Sequence, residues 1–231
     1  MKNSMQTAAL ALLMAAVATS VAIHSIDATQ ITIFNECAHN ISVCQTCCGG
    51  GTVTCYALEM GNGRHSIDVG ASWPGGVIWG YPGNKADPVD GNEAKPQADL
   101  AEFTIGSGNL DFYDISNVNG FNLPLMITVT TIVSPGKESG LECGNPKCGS
   151  ININSFCQSP NKITGGPGDG CYNVDGPTAT SPTNGTEAFA NACPDAFSYS
   201  TDFANHVYFC QTGSEYSVVF CPIPFRLNTL E

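Results

Sequence analysis

The chain has 231 residues, the length of one large domain or of a domain with a small satellite. Eight Lys and Arg residues stand against twenty Asp and Glu, and the formal charge of −12 disfavours nucleic acids and anionic membranes as partners. Neutral polysaccharides and cations remain compatible with this charge. Twelve cysteines, 25 glycines and 14 prolines indicate a loop-rich fold that is held by crosslinks.

The first predicted element is an export signal at residues 1–22. Lys2 supplies the charged start, residues 8–18 form an apolar run too short to span a membrane, and Ser20-Val21-Ala22 offers small residues for cleavage. We therefore expect a secreted, extracellular protein with its mature domain at residues 23–231. No later segment predicts a membrane anchor, and the C-terminal residues lack the apolar tail of a lipid-anchor signal.

Alternation of polar and apolar residues, with many β-branched and aromatic side chains, predicts an all-β core at about residues 28–135 and 194–222. The predicted strands are 30–35, 41–44, 64–69, 77–79, 101–105, 110–115, 125–133, 206–210 and 216–220. Strand 41–44 is expected to pair back on the first strand, and Gly75-Gly76 is expected to form a turn. Residues 81–96 are polar and interrupted by prolines, which predicts a loop.

The character of the chain changes at about residues 136–193, where Gly, Pro, Ser and Asn predominate and five cysteines occur. Such a segment buries little apolar surface and depends on crosslinks. Two short helices are predicted in it, at residues 151–157 and 187–193, the second with Thr186 as its N-cap. The expected organisation is thus a β core with a disulfide-rich loop module that bears short helices.

The cysteines predict six disulfides and no free thiol, because their number is even and the chain is expected to be exported. Four of them surround a glycine-rich turn, at Cys44, Cys47, Cys48 and Cys55. Their spacing also suits zinc, but disulfides are favoured in a secreted chain. A bond between the neighbours Cys47 and Cys48 would be strained, which leaves 44–47 with 48–55, or 44–48 with 47–55, if the cluster pairs internally.

The sequence lacks the motifs of metalloproteases and of serine hydrolases. The four histidines show no metal-ligand spacing, no Gly-x-Ser-x-Gly occurs, and no loop has the spacing of a calcium site, so we expect neither cofactor nor metal. Glu102, Asp111 and Asp114 lie in predicted strands. Because strand side chains alternate between faces, only one of the two aspartates is expected to share a face with Glu102. Two Asn-linked glycosylation motifs begin at Asn40 and Asn184.

Ordered segments along the mature chain resemble the thaumatin-like family, the sweet-protein and pathogenesis-related group. The matching segments are ATQITIFNEC (28–37), GASWPGGVIWG (70–80), LAEF (100–103), DFYDIS (111–116), GFNLP (120–124), CPDAFSY (193–199) and YSVVFCP (216–222). The resemblance implies a β-sandwich core, a disulfide-rich loop module and an acidic cleft between them. It also implies four disulfides: Cys37–Cys221, Cys143–Cys210, Cys148–Cys193 and Cys157–Cys171.

The family's cleft carries an Arg, a Glu and three Asp residues. The matching positions in this chain are Lys95, Glu102, Asp114, Asn119 and Asp195. Two of the five are therefore replaced, and the cleft is expected to stay acidic, though less so. A second departure is the number of cysteines, twelve here and sixteen in long family members. Those expected between Trp79 and Glu102 are missing, and the cluster at residues 44–55 is additional.

The resemblance implies a secreted monomer that binds cell-wall carbohydrate, a β-1,3-glucan, in a defence or antifungal role. Four aromatic side chains are candidate stacking faces, although strand spacing favours core positions for them: Phe103, Phe112, Tyr113 and Phe121. An alternative function is a weak endo-β-1,3-glucanase with Glu102 as proton donor and Asp114 as nucleophile or water-activating base. A second alternative is a secreted inhibitor or host-interaction protein. Sweetness is disfavoured because sweet members have a basic surface.

Overall fold

The computed structural model describes residues 28–49, 51–83, 97–132, 143–163, 170–203 and 206–222, so the predicted signal and Lys95 lie outside the described residues. Within these ranges the chain forms fifteen strands, two α-helices and one short 3-10 helix at Ser159–Asn161. No helix among the described residues is long and apolar enough to cross a membrane.

The α-helices are α1 (Ile153–Phe156) and α2 (Asn184–Ala192). The strands are β1 (Thr29–Asn35), β2 (Ile41–Thr46), β3 (Thr54–Leu58), β4 (Gly63–Gly70), β5 (Trp73–Pro82), β6 (Leu100–Ser107), β7 (Leu110–Ser116), β8 (Gly120–Phe121), β9 (Leu125–Thr131), β10 (Lys147–Cys148), β11 (Lys162–Ile163), β12 (Gly170–Tyr172), β13 (Ala196–Phe197), β14 (Tyr208–Gln211) and β15 (Glu215–Phe220).

The strands build two large sheets and a small one, and the predicted all-β sandwich is confirmed. The first sheet has the order β10-β9-β15-β1-β4, with β1 and β15 parallel. The second has the order β13-β7-β6-β5-β2-β3, and β14 shares the free edge of β7 with β13. A small sheet of β11, β12 and β8 joins the disulfide-rich part of the chain to the core.

Alternating side chains of the two large sheets form the hydrophobic core. Ile31 and Ile33 of β1 have no exposed surface, and an aromatic cluster lies among the buried side chains of β6, β7 and β15. In this cluster the ring centroid of Phe103 is 6.2 Å from that of Tyr113 and 5.6 Å from that of Tyr216. Phe103, Tyr113 and Phe121 are thus core residues, whereas Phe112 is half-buried on the outer face of β7 and packs at a tilt against Phe209.

Two local predictions about the second sheet are wrong. Strand β2 does not pair with β1; it pairs with β3, which the sequence pattern did not reveal, and with β5. Gly75 and Gly76 do not form a turn between strands but lie inside β5, where the pairing with β6 shifts register. A side chain at Gly76 would overlap the ring of Trp73, so a glycine is needed for the strand to bend over this tryptophan.

The early cysteine cluster pairs as Cys44–Cys55 and Cys47–Cys48, so both expected pairings are wrong. The reason is register: the antiparallel pairing of β2 with β3 places Cys44 opposite Cys55, with their Cα atoms 4.1 Å apart. Cys47 and Cys48 then remain together in the turn, where Cys48 has a φ of 64°. The structure forms all four disulfides that the family resemblance implies.

Residues 143–193 are attached to the sandwich by crosslinks and by one buried amide. The side-chain nitrogen of Asn173 donates to the carbonyl oxygens of Asn117 (3.0 Å) and Ser198 (2.6 Å), and its oxygen accepts the N–H of Gly176 (3.1 Å). The amide therefore joins three loops beside β7. Helix α2 begins earlier than predicted, with Thr183 rather than Thr186 as N-cap, because Thr186 occupies the reciprocal position of a capping box.

Candidate functional site

Two carboxylates face each other on the outer surface of the second sheet. Glu102 of β6 lies directly opposite Asp114 of β7 in the antiparallel register. Ala101 and Phe103, the neighbours of Glu102, point into the core, so Glu102 points away from it. Asp111 lies on the other face of β7, where it accepts hydrogen bonds from the Gly106 N–H (2.9 Å) and the Tyr216 hydroxyl (3.0 Å).

The Glu102 and Asp114 carboxyl groups lie close enough for each to change the pKa of the other. Burial raises the pKa of Asp114 well above its usual range, and the charge of Glu102 raises it further. Burial also raises the pKa of Glu102, although hydrogen bonds from Ser116 and Asp114 oppose this increase.

The carboxyl pair lies in a cavity of about 380 Å³ above β6 and β7. One wall comes from β13, which pairs with β7 so that Phe197 lies opposite Ser116. Phe203 contacts Phe197 edge-on at a centroid distance of 6.0 Å and leaves 69% of its surface exposed. The lining residues are Leu100, Glu102, Asp114, Ser116, Val118, Asn119, Phe197, Ser200, Phe203 and Val207.

This arrangement brings together only some of the residues expected at an acidic cleft. Glu102, Asp114 and Asn119 line the cavity. Asp195 does not, and its carboxylate accepts the backbone N–H of Lys147 at 3.3 Å. Lys95 is outside the described residues. The side chains of the cavity wall were missed by the sequence reasoning, although Phe197 lies in the CPDAFSY segment that supports the family resemblance.

The chemistry of the cavity is that of a hydrogen-bonding site with an apolar edge. Within the ranges that the structure describes, no group of three or more His, Cys, Asp and Glu side chains is arranged to hold a metal ion. The Oδ1 atom of Asp114 is buried and has no hydrogen-bond partner among the described residues. Asp114 and the exposed ring of Phe203 line the same cavity.

The two glycosylation motifs lie in different surroundings. Asn40 is half-buried, and its side-chain oxygen accepts the N–H of Met60 at 2.9 Å. Asn184 is exposed at the first position of α2, whereas Thr186 of the same motif is buried in the capping box.

A family model described as the Thaumatin family matches residues 35–222. The chain belongs to the thaumatin family. It is 29% identical over 249 aligned residues to the pathogenesis-related thaumatin-like protein 3.7 of Cryptomeria japonica, with 92% of this chain and 97% of the relative covered. It is 30% identical to thaumatin-like protein 1 of Arabidopsis thaliana, with 85% and 87% covered. A Prunus avium protein named glucan endo-1,3-beta-glucosidase is 36% identical over 151 residues, which is 58% of each chain.

Proposed function

We propose that this thaumatin-family protein is secreted and binds a neutral cell-wall polysaccharide, a β-1,3-glucan, in the cavity above β6 and β7. The role would be defence or antifungal activity, as in the pathogenesis-related relatives. The observation that supports binding most directly is that one cavity contains both the carboxyl pair, whose Asp114 Oδ1 has no hydrogen-bond partner among the described residues, and the exposed ring of Phe203. Sugars present hydroxyl groups at their edges and apolar C–H faces, and such a site complements both.

The net charge and the disulfides are consistent with this proposal. A formal charge of −12 favours a neutral ligand over an anionic one. All cysteines among the described residues are paired, which fits an oxidising compartment. Mass spectrometry of protein exported by a eukaryotic host tests the secretion directly. We expect a mature N-terminus at residue 23, and retention of the full chain inside the cell would contradict the export signal.

Hydrolysis is the second candidate, because one relative is named a glucan endo-1,3-beta-glucosidase. Retaining glycosidases hold their two carboxyl groups about 5 Å apart so that the scissile bond fits between them, and inverting enzymes hold them further apart. Glu102 and Asp114 face each other directly across paired strands, and burial raises the pKa of both, which disfavours the ionised form that a nucleophile or base requires. We therefore rank binding above catalysis.

The test combines binding and turnover on the same variants. Phe203→Ala should weaken retention on insoluble β-1,3-glucan about tenfold, because the apolar face of a sugar loses its platform. Met60→Ala removes another exposed apolar side chain outside the cavity and should bind like the wild type. Glucan retention that is unchanged in Phe203→Ala would contradict the proposed site. Release of reducing sugar by the wild type, abolished in Glu102→Gln, would instead establish the glucanase.

The remaining alternative, an inhibitor or host-interaction protein, stays a prediction from the family resemblance. It is separated from glucan binding by the same retention assay. If the wild-type protein is not retained on glucan, its inhibition of secreted glycosidases would be measured next.

A further inference from the structure

A second cavity, of about 360 Å³, lies within the crosslinked part of the chain. It is bounded by the end of α1, the strand β12 and the first turn of α2. None of its lining residues belongs to the cavity that contains Glu102 and Asp114. It is therefore a separate site, and the family resemblance assigned no role to it.

Four polar side chains that line this cavity have no hydrogen-bond partner among the described residues: the amides of Gln158, Asn161 and Asn184, and the hydroxyl of Tyr172. Amide and hydroxyl groups both donate and accept hydrogen bonds. Asn173 differs from them, because its amide is fully used in joining the loops beside β7. The cavity thus combines one structural amide with several that are free to bind a ligand.

Apolar side chains line the same cavity as these amides. Phe156 is half-buried and packs edge-to-face on Phe189 with ring centroids 5.3 Å apart. The ring of Tyr172 also lines the cavity, and Val174 at its rim is 64% exposed. Rings beside neutral hydrogen-bonding groups match the alternating C–H and hydroxyl surfaces of a sugar.

The charge of the cavity excludes an anionic ligand. Asp175 is the one charged side chain among the described lining residues, and its carboxylate accepts the hydroxyl of Thr183 at 2.7 Å. It stands at the N-terminal end of α2, where a bound anion would otherwise be stabilised. Gly185 permits this position, because a Cβ there would lie 2.6 Å from the Asp175 oxygen. The helix end is therefore already occupied by the protein's own carboxylate.

We propose that this second cavity binds a neutral oligosaccharide independently of the first. The free amides of Gln158 and Asn161 hydrogen-bond the sugar hydroxyls, and the rings of Tyr172 and Phe156 contact its apolar faces. Asn184 lines the same cavity and is also a glycosylation motif, so a glycan attached there would cover the site. Binding is accordingly measured on the full mature protein without Asn-linked glycans.

The experiment uses ¹⁵N-labelled protein and two neutral probes, a hexasaccharide of β-1,3-linked glucose and one of β-1,4-linked N-acetylglucosamine. We expect at least one probe to shift the side-chain amide signals of Gln158 and Asn161 at concentrations up to about 10 mM. This readout needs no substitution. Asn161→Ala and Tyr172→Ala should each weaken that binding about tenfold.

Phe203→Ala serves as the matched control, because it alters the first cavity only. It should leave the affinity for the second cavity within about twofold. Absence of shifts at Gln158 and Asn161 with both probes would overturn the proposal, and so would loss of those shifts in Phe203→Ala. If the shifts persist while Phe203→Ala leaves glucan retention unchanged, the second site stands and the proposed function of the first cavity falls.

Discussion

The β-sandwich and the crosslinked segment at residues 143–193 are stabilised in different ways. In the sandwich, alternating side chains of two sheets bury a continuous apolar core. The described residues of the crosslinked segment include few buried apolar side chains apart from cysteines, among them Ile153 and Phe189. Three disulfides instead tie this segment together and to β14: Cys143–Cys210, Cys148–Cys193 and Cys157–Cys171.

The difference extends to the two cavities. The cavity on the sandwich contains a buried carboxyl pair with raised pKa values, and the cavity in the crosslinked segment contains neutral amides. A rigid sheet can hold two acidic groups face to face because the strand register leaves them no freedom to separate. Loops held by disulfides and single hydrogen bonds leave most polar side chains of the second cavity exposed or half-buried. Stability and titration experiments can test this contrast.

The largest expected effect is in the aromatic core of the sandwich. Phe103→Ala should lower the free energy of unfolding by about 4 kcal/mol, because it leaves a void among the rings of Trp73, Tyr113 and Tyr216. Urea unfolding measures the change. Phe112→Ala is the matched control on the outer face of β7, where the ring is half-buried, and a loss as large as that of Phe103→Ala would contradict the assigned core.

Removal of one disulfide should affect the crosslinked segment and the sandwich differently. Cysteines 157 and 171 are 14 residues apart, and replacing both by Ala should cost about 3 kcal/mol in the chain-entropy model. The pair Cys44–Cys55, 11 residues apart, closes a similar loop within paired strands and is the control. Limited proteolysis should cut the first variant within the crosslinked segment and leave the β2–β3 hairpin of the second intact. Equal resistance of both variants would show that the segment does not depend on its crosslinks.

Buried acid in the sandwich should make stability depend on pH. Burial raises the pKa of Asp99 to about 7, although its carboxylate accepts the N–H groups of Asn122 and Leu123. The unfolded chain releases this proton near pH 4, so folding is penalised as pH rises, and the penalty is complete above about pH 7. Between about pH 5.5 and pH 8 the free energy of unfolding of the wild type should fall by about 2 kcal/mol because of this group.

Asp99→Asn isolates that contribution, because its oxygen can still accept both N–H groups while the charge is gone. In urea unfolding across this pH range, the free energy of unfolding of the variant should increase by about 2 kcal/mol relative to that of the wild type as pH rises. Glu102 and Asp114 remain in both proteins and cancel from the difference. Parallel pH profiles for the two proteins would mean that Asp99 is ionised in the folded state at neutral pH without penalty.

The smallest expected effect concerns a helix of the crosslinked segment. The Thr183 hydroxyl accepts the N–H of Thr186 at 3.1 Å, and the Thr186 hydroxyl accepts the N–H of Thr183 at 2.9 Å. Thr183→Ala should therefore lower stability by about 1 kcal/mol, measurable by thermal unfolding. Thr183→Ser keeps the hydroxyl and should restore most of the loss. An alanine variant as stable as the serine variant would contradict the assigned cap.

The sequence pattern was sufficient to predict features that depend on the alternation of side chains along a single strand. Residues 101–105 and 110–115 alternate clearly, and this alternation correctly separates Asp111 from the face shared by Glu102 and Asp114. The four family disulfides came from ordered segments of resemblance, not from spacing. The all-β class followed from the same alternation, because β-branched residues recur in every main strand.

Predictions from the sequence were wrong or missing where a feature depends on contacts with residues far away in the chain. Nothing in residues 41–46 indicates that β3 and β5 rather than β1 will flank them, and the pairing of Cys44 with Cys55 depends on that register. Phe203 is an isolated aromatic residue in a polar stretch, so its place at the cavity mouth depends on the course of the chain between β13 and β14. Thr183 and Thr186 are three residues apart and look alike locally, which explains the misplaced cap.

The position of β15 has a consequence for biosynthesis. This strand lies at the centre of the first sheet, between β1 and β9, and Cys221 next to it is bonded to Cys37 near the start of the fold. A chain emerging N-terminus first therefore exposes the edges of β1 and β9 until residues 215–220 have been made. Unpaired strand edges are sites of aggregation, so the nascent polypeptide depends on prompt completion or on chaperones that cover those edges.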